Sequence, residues 1–200
     1  MMLALMIICV VIFILIGYRF TPLSAAKAHS FVTKDDELIG QYKDDSSIFY
    51  LFKNDKEQQY RTVYVQKRLF IYVGNTSTYI SYTDDPIQTI GGMSIDNKLN
   101  SATLLIVRSL DENISSIIIE TENHTEKKPV PDDGIVHFLV PYSKPLAQLY
   151  PIALNKSDEP IYYFGYEKNY SKEVDSHVIL ANLKWHKIKN NNKDNQLNLE

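Results

Sequence analysis

The sequence predicts an all-β fold behind one N-terminal transmembrane helix. Three observations predict it: an uncharged apolar run over residues 1–17, a succession of short Val-, Ile-, Tyr- and Phe-rich runs from about residue 31 onwards, and clusters of Asn, Asp, Gly and Pro between those runs. Short β-formers at roughly 8–12 residue spacing argue for a sandwich or barrel and against alternating βαβ units.

The first element is MMLALMIICVVIFILIG, without a charge or a strong helix breaker before Gly17. As a helix it is roughly 26 Å long, close to the ~30 Å of a bilayer's hydrocarbon core. A soluble core helix keeps one polar face, and this segment has none. Residues 1–18 are therefore read as a transmembrane anchor or an uncleaved signal, with the membrane contacted through residues 1–17. A second reading stays open: Ala26, Lys27 and Ala28 make an A-x-A-like pattern, giving a secreted protein after cleavage near Ala28. Lipidation at Cys9 is rejected, because Ile7 and Ile8 stand where small residues are needed.

No Lys or Arg precedes the apolar run, whereas Arg19 and Lys27 follow it. That order opposes an outward-facing body under the positive-inside bias, although a free α-amino group would offset it in part. The reading adopted is single-pass at the cell membrane with an extracytoplasmic domain.

Residues 19–30, small and polar, read as a juxtamembrane linker. Residues 31–186 read as one β-sandwich-like domain. Its candidate strands are 48–52, 61–66, 69–73, 78–82, 102–107, 115–120, 135–140 and 161–166. Asn54 and Asp55, Gly74 and Asn75, Asp84 to Pro86, Asp111 to Asn113, and Pro131 to Gly134 supply the turns between them. Residues 146–150 can form a single helical turn before Pro151, and 178–185 a last strand whose Trp185 docks on the core. Residues 187–200, polar and Asn-rich, read as a disordered tail.

Charge and cysteine usage remove several function classes. Acidic and basic residues number 24 and 21, a formal charge of −3, which is no footprint for nucleic acid. Hydrophobic residues at 44% suffice for a core. The single cysteine, Cys9, lies in the apolar run, so neither an intrachain disulfide nor a Cys-based zinc site is available to the body. The bias to 14 Tyr over 8 Phe suits half-exposed strands, and also suits carbohydrate or protein contact.

His29, His124, His137, His177 and His186 show no H-x-H or H-x-x-x-H pair, and His137 reads as a structural histidine within an apolar strand. The carboxylate pairs at Asp35-Asp36, Asp44-Asp45, Asp84-Asp85 and Asp132-Asp133 lack calcium-loop spacing and read as turn residues. Gly91 and Gly92 mark a bulge or a close backbone approach rather than a phosphate loop. No G-x-S-x-G elbow occurs. Five N-x-S/T sequons, beginning at Asn75, Asn113, Asn123, Asn155 and Asn169, are what an Asn-rich chain produces by chance. These readings assign no catalytic, cofactor-binding or metal-binding residue and leave the ligand-binding residues unknown.

In the second half, Thr103-Leu104-Leu105-Ile106-Val107, Ile114-Ser115-Ser116-Ile117, Val136-His137-Phe138-Leu139-Val140 and Pro151-Ile152-Ala153-Leu154-Asn155 through Ile161-Tyr162-Tyr163 follow one another in order. This succession resembles uncharacterised small membrane-anchored or exported β-rich proteins of low-GC Gram-positive bacteria. Glu159-Pro160 stands where the closing hairpin of that pattern has glycine. The resemblance implies location and fold, and no activity.

The functional expectation is a membrane-tethered extracytoplasmic interaction module, not enzymatic, with no cofactor and with another envelope protein as a candidate partner. Two alternatives stay open. One is an enzyme or ligand sensor whose site is assembled only in three dimensions, which a deep pocket of convergent titratable groups would favour. The other is a Tyr-rich binder of glycans or small ligands, which exposed clustered rings would favour.

Overall fold

The computed structural model describes residues 17–45, 47–97, 100–122, 124–166 and 183–188. Strands dominate it, arranged in three antiparallel sheets, so the all-β class holds. The apolar segment expected to be an anchor lies outside the described residues apart from Gly17. Among the described residues no helix is long and apolar enough to cross a membrane.

The chain packs as two compact units. The first comprises Met1–Asp84, Ile90–Ile106 and His137–Lys144; the second comprises Asp85–Thr89, Val107–Val136 and Pro145–Glu200.

In the first unit, β1 (Tyr18–Arg19), β2 (Glu37–Lys43), β3 (Ile48–Asn54), β4 (Gln59–Arg68) and β5 (Ile71–Ser81) form one sheet in the order β1-β5-β4-β3-β2. Strands β2 to β5 are a meander, each paired antiparallel with the next. Helix α1 (Pro22–Lys27) lies on this sheet. Thr21 caps it by accepting the Ser24 N–H, and Pro22 occupies its first turn, where a missing N–H is harmless. Ala25 and Ala26 are fully buried with Tyr50, Phe52, Val63 and Val65. The expected linker over residues 19–30 is thus corrected: its alanines are the small side chains that let a short helix approach the sheet.

That approach also explains Gly74. A Cβ there would lie 2.8 Å from the Ala25 carbonyl oxygen. Gly74 and Asn75 do not turn the chain, as the sequence suggested, because the β4–β5 ladder continues past them. Tyr64 pairs with Thr76 and Val65 with Gly74, so Asn75 is the extra residue of a bulge. The turn lies earlier, at Leu69 and Phe70, between the paired Arg68 and Ile71. The expected strands 69–73 and 78–82 are therefore one strand, β5.

Strands β6 (Ile87–Asp96), β7 (Ser101–Ser109) and β10 (Ile135–Val140) make the second sheet, in the order β10-β7-β6. Each contributes residues to both units. Within the first unit, a Cβ on Gly91 would meet Ile106 Cδ1 at 2.7 Å, Thr62 Oγ1 at 2.9 Å and Leu51 Cδ1 at 3.0 Å. Here the glycine marks close approach. Asn100 Nδ2 donates to the buried Tyr64 hydroxyl at 2.6 Å.

In the second unit, β8 (Ser116–Thr121), β9 (His124–Pro129), β11 (Ile152–Leu154), β12 (Pro160–Gly165) and β13 (Lys184–Lys187) form the third sheet, ordered β13-β12-β11-β8-β9. A 3-10 turn at Leu146–Leu149 precedes β11, where a helical turn was expected. Trp185 lies in β13; its indole donates to Thr89 Oγ1 at 3.2 Å and its ring meets Phe164. Strand β13 includes Lys187, which the sequence assigned to the tail; residues 189–200 lie outside the described residues.

Candidate binding clefts

The first cleft lies on the α1 side of the first unit's sheet, at the far end of β4. Arg61 shares a face of β4 with Val63 and Val65, and its side chain is almost wholly removed from solvent. One guanidinium nitrogen lies 3.0 Å from Asp36 Oδ2, the other 3.0 Å from Glu57 Oε2. The Asp36 side chain is out of contact with solvent, and that of Glu57 is about half exposed. Burial alone would raise the Asp36 pKa. Bonds from the Thr33 N–H and hydroxyl, then the Arg61 bond and charge, outweigh it and hold the carboxyl below the usual range.

Asn54, itself buried, locks the arrangement. Its amide donates to Asp36 Oδ1 at 3.3 Å, and its oxygen accepts the Glu57 N–H at 2.9 Å. The charge on Arg61 is therefore neutralised within the fold. Above it a cleft of about 340 Å³ opens. Gln59, Ser77 and Thr78 supply its polar lining, and Phe31 and Tyr79 flank it at 66% and 71% exposure. Tyr79 is the cross-strand partner of Arg61. His29, two residues before Phe31, stacks on its ring at 5.7 Å; burial, then the Arg61 charge, push the imidazole pKa down.

The second cleft, about 390 Å³, lies in the second unit between the β7–β8 and β11–β12 loops. Ionisable groups do converge here: Asp111, Glu112, Lys156, Tyr162 and Lys187. Asp111 is committed to structure, however. Its Oδ1 accepts the Asn113 N–H at 2.9 Å and the Asn113 amide at 2.7 Å, and its Oδ2 accepts the Tyr162 hydroxyl at 3.0 Å. Asn113's backbone bond, opposed by burial and aided by its side chain and Tyr162, lowers the Asp111 pKa. Burial, then the Asp111 bond, raises that of Tyr162. Both move away from neutrality, leaving a carboxylate and a phenol at pH 7. General acid–base work needs the opposite, a group poised near the working pH.

Asn155 is spent likewise, accepting the N–H groups of Ser157 and Glu159 at 2.8 and 2.9 Å to close the β11–β12 turn. Each cleft can thus hold a ligand by shape, ring faces and hydrogen bonds, and neither presents a nucleophile aligned with a base.

Of the residues singled out from sequence, His29 and Asp36 stand at the first cleft, His177 lies outside the described residues, and the others named here go elsewhere. His137 is exposed on β10, its ring 4.7 Å from that of Tyr42. His124 meets Glu126 at 3.4 Å, and His186 stacks on Tyr163. Among the described residues no group of His, Cys, Asp or Glu could hold a metal ion. Asp44 and Asp133 cap turns through the Ser47 and Ile135 N–H groups, as turn residues do. Asp36 does this and more. Its pairing with Arg61 spans 25 residues, so no local spacing announces it. The chain matches no protein-family model, no curated protein and no solved structure.

Proposed function

We propose that this chain is a membrane-tethered, extracytoplasmic interaction module, not an enzyme, whose body is one β-sandwich-like domain held at the cell membrane by residues 1–17. Its partner in this reading is another component of the envelope. The observation that carries it is the cleft beside Arg61, where two exposed aromatic rings flank a polar floor whose buried charge is already paired. Exposed rings gain by being covered, and a guanidinium, which stays protonated, is neither a nucleophile nor a general base.

A second reading shares the cleft. Tyr79 with Gln59, Ser77 and Thr78 combines a ring face with amide and hydroxyl groups, the chemistry that recognises a sugar. A photo-crosslinking residue replacing Tyr79 in intact cells tests the module directly. Discrete adducts from this position, reduced by Phe31→Ala, are expected. Absence of adducts at Tyr79 where position Leu110 yields them would contradict the assignment. Competition by soluble oligosaccharides, without any protein adduct, would favour the glycan reading.

A further inference from the structure

The β4–β5 hairpin ends in an apolar tip that nothing in the fold requires. Leu69 and Phe70 are its two turn residues, 87% and 74% exposed. Leu69 has φ 57° while Phe70 is not among the positive-φ residues. A positive φ at the first turn position of a hairpin favours glycine there. A branched apolar side chain in that conformation is strained and, at this exposure, contributes no burial. The hairpin also projects. The last β3–β4 pair is Ile48 with Val65, and β4 runs on to Arg68, roughly 10 Å further.

Strand β1 sits beside this tip. Tyr18 pairs with Val73 and Arg19 with Tyr72, and Phe20, 73% exposed, follows directly at the tip-facing end of β1. Arg68 reaches the Tyr18 hydroxyl at 3.2 Å. Charge is segregated around it as well. Leaving aside Arg61, whose charge is already paired, residues 17–34 and 62–83 contain Arg19, Lys27, Lys34, Lys67 and Arg68 and no Asp or Glu, in a chain that nets −3. Asp44 and Asp45, in the β2–β3 turn, lie one and two residues beyond the Lys43–Ile48 pair, at the same end of the sheet but short of the tip.

We infer that Leu69, Phe70 and Phe20 enter the headgroup region of an anionic bilayer, with Arg19, Lys67 and Arg68 at the level of the lipid phosphates. An apolar wedge rimmed by cations is what such an interface selects. The apolar run 1–17 ends one residue before β1, which keeps the wedge beside the same bilayer. To that extent the inference rests on the tether proposed above, and it adds a second contact that fixes how the body meets the membrane.

The test uses the full chain with Cys9→Ala, carrying one environment-sensitive fluorophore at Phe70→Cys or at Tyr79→Cys. The two sites are nine residues apart on one hairpin arm, roughly 30 Å. The protein is reconstituted into vesicles of phosphatidylcholine and phosphatidylglycerol in equal parts, or of phosphatidylcholine alone, each doped with spin-labelled lipid. In anionic vesicles quenching at position 70 is expected to exceed that at 79 by about twofold or more, as insertion limited to the headgroup layer requires. Lys67→Glu is expected to reduce it. Flotation with equal quenching at both positions, or none, would overturn the tip contact and leave the tether standing. Equal quenching at 70 in neutral vesicles would overturn the role given to the basic residues. Failure to float at all would overturn both contacts.

Discussion

Arg61 and Asp36 form a buried ion pair at 3.0 Å across 25 residues of chain, joining the segment ahead of β2 to the middle of the first sheet. A buried pair adds little over a well-packed apolar substitute, but removing one member strands the other. Asp36→Ala is therefore expected to destabilise the protein by about 3–5 kcal/mol. Glu57→Ala, which removes the half-exposed partner of the same guanidinium, should remain within about 1 kcal/mol. Urea unfolding of the two variants separates these outcomes. Equal losses would show that the pair is not buried in solution.

The same neighbourhood sets the response to acid. Asp36 titrates below its ordinary value of 3.8 in the fold, so its contribution is present above that pH and disappears as pH falls through the folded pKa. His29 titrates below 6.5, so the unfolded chain takes up its proton first. Stability tied to neutral His29 is full above about pH 6.5 and declines as pH falls towards the folded value. Stability should therefore rise with pH through the weakly acidic range, and His29→Asn should flatten that slope while leaving the steeper loss below pH 4. An unchanged slope in His29→Asn would contradict the assignment.

At the hairpin tip, sequence and fold disagree locally. Leu69→Gly places the residue suited to positive φ where an exposed leucine now stands. Relief of the left-handed strain, less the added freedom of glycine in the unfolded chain, leaves a gain of up to about 1 kcal/mol. Thermal unfolding would register this as a higher midpoint. A lower midpoint would mean that Leu69 packs in solution.

Much of this fold is legible in the sequence, and the exceptions have physical causes. Strands β3, β4, β7, β8, β10 and β12 are runs of β-branched and aromatic residues buried on one or both faces, and such runs announce themselves. Strands β2 and β9 do not, because they are edges with no fully buried residue; β9 reads HTEKKP. The β4–β5 turn was hidden by apolar turn residues, and the false turn at Gly74 arose because glycine serves a helix approach as readily as a reversal. Helix α1 is too short for a periodic signal. The clefts were illegible for another reason. Arg61, Tyr79 and Phe31 meet through strand register and through the path of residues 28–36, neither of which a local pattern encodes.

The claim of an outward-facing module is tested most directly by topology. Protease added to intact protoplasts carrying the chain should degrade the body and leave the apolar segment 1–17 with the membrane. Protection of the body until the membrane is breached would place it in the cytoplasm and contradict the account.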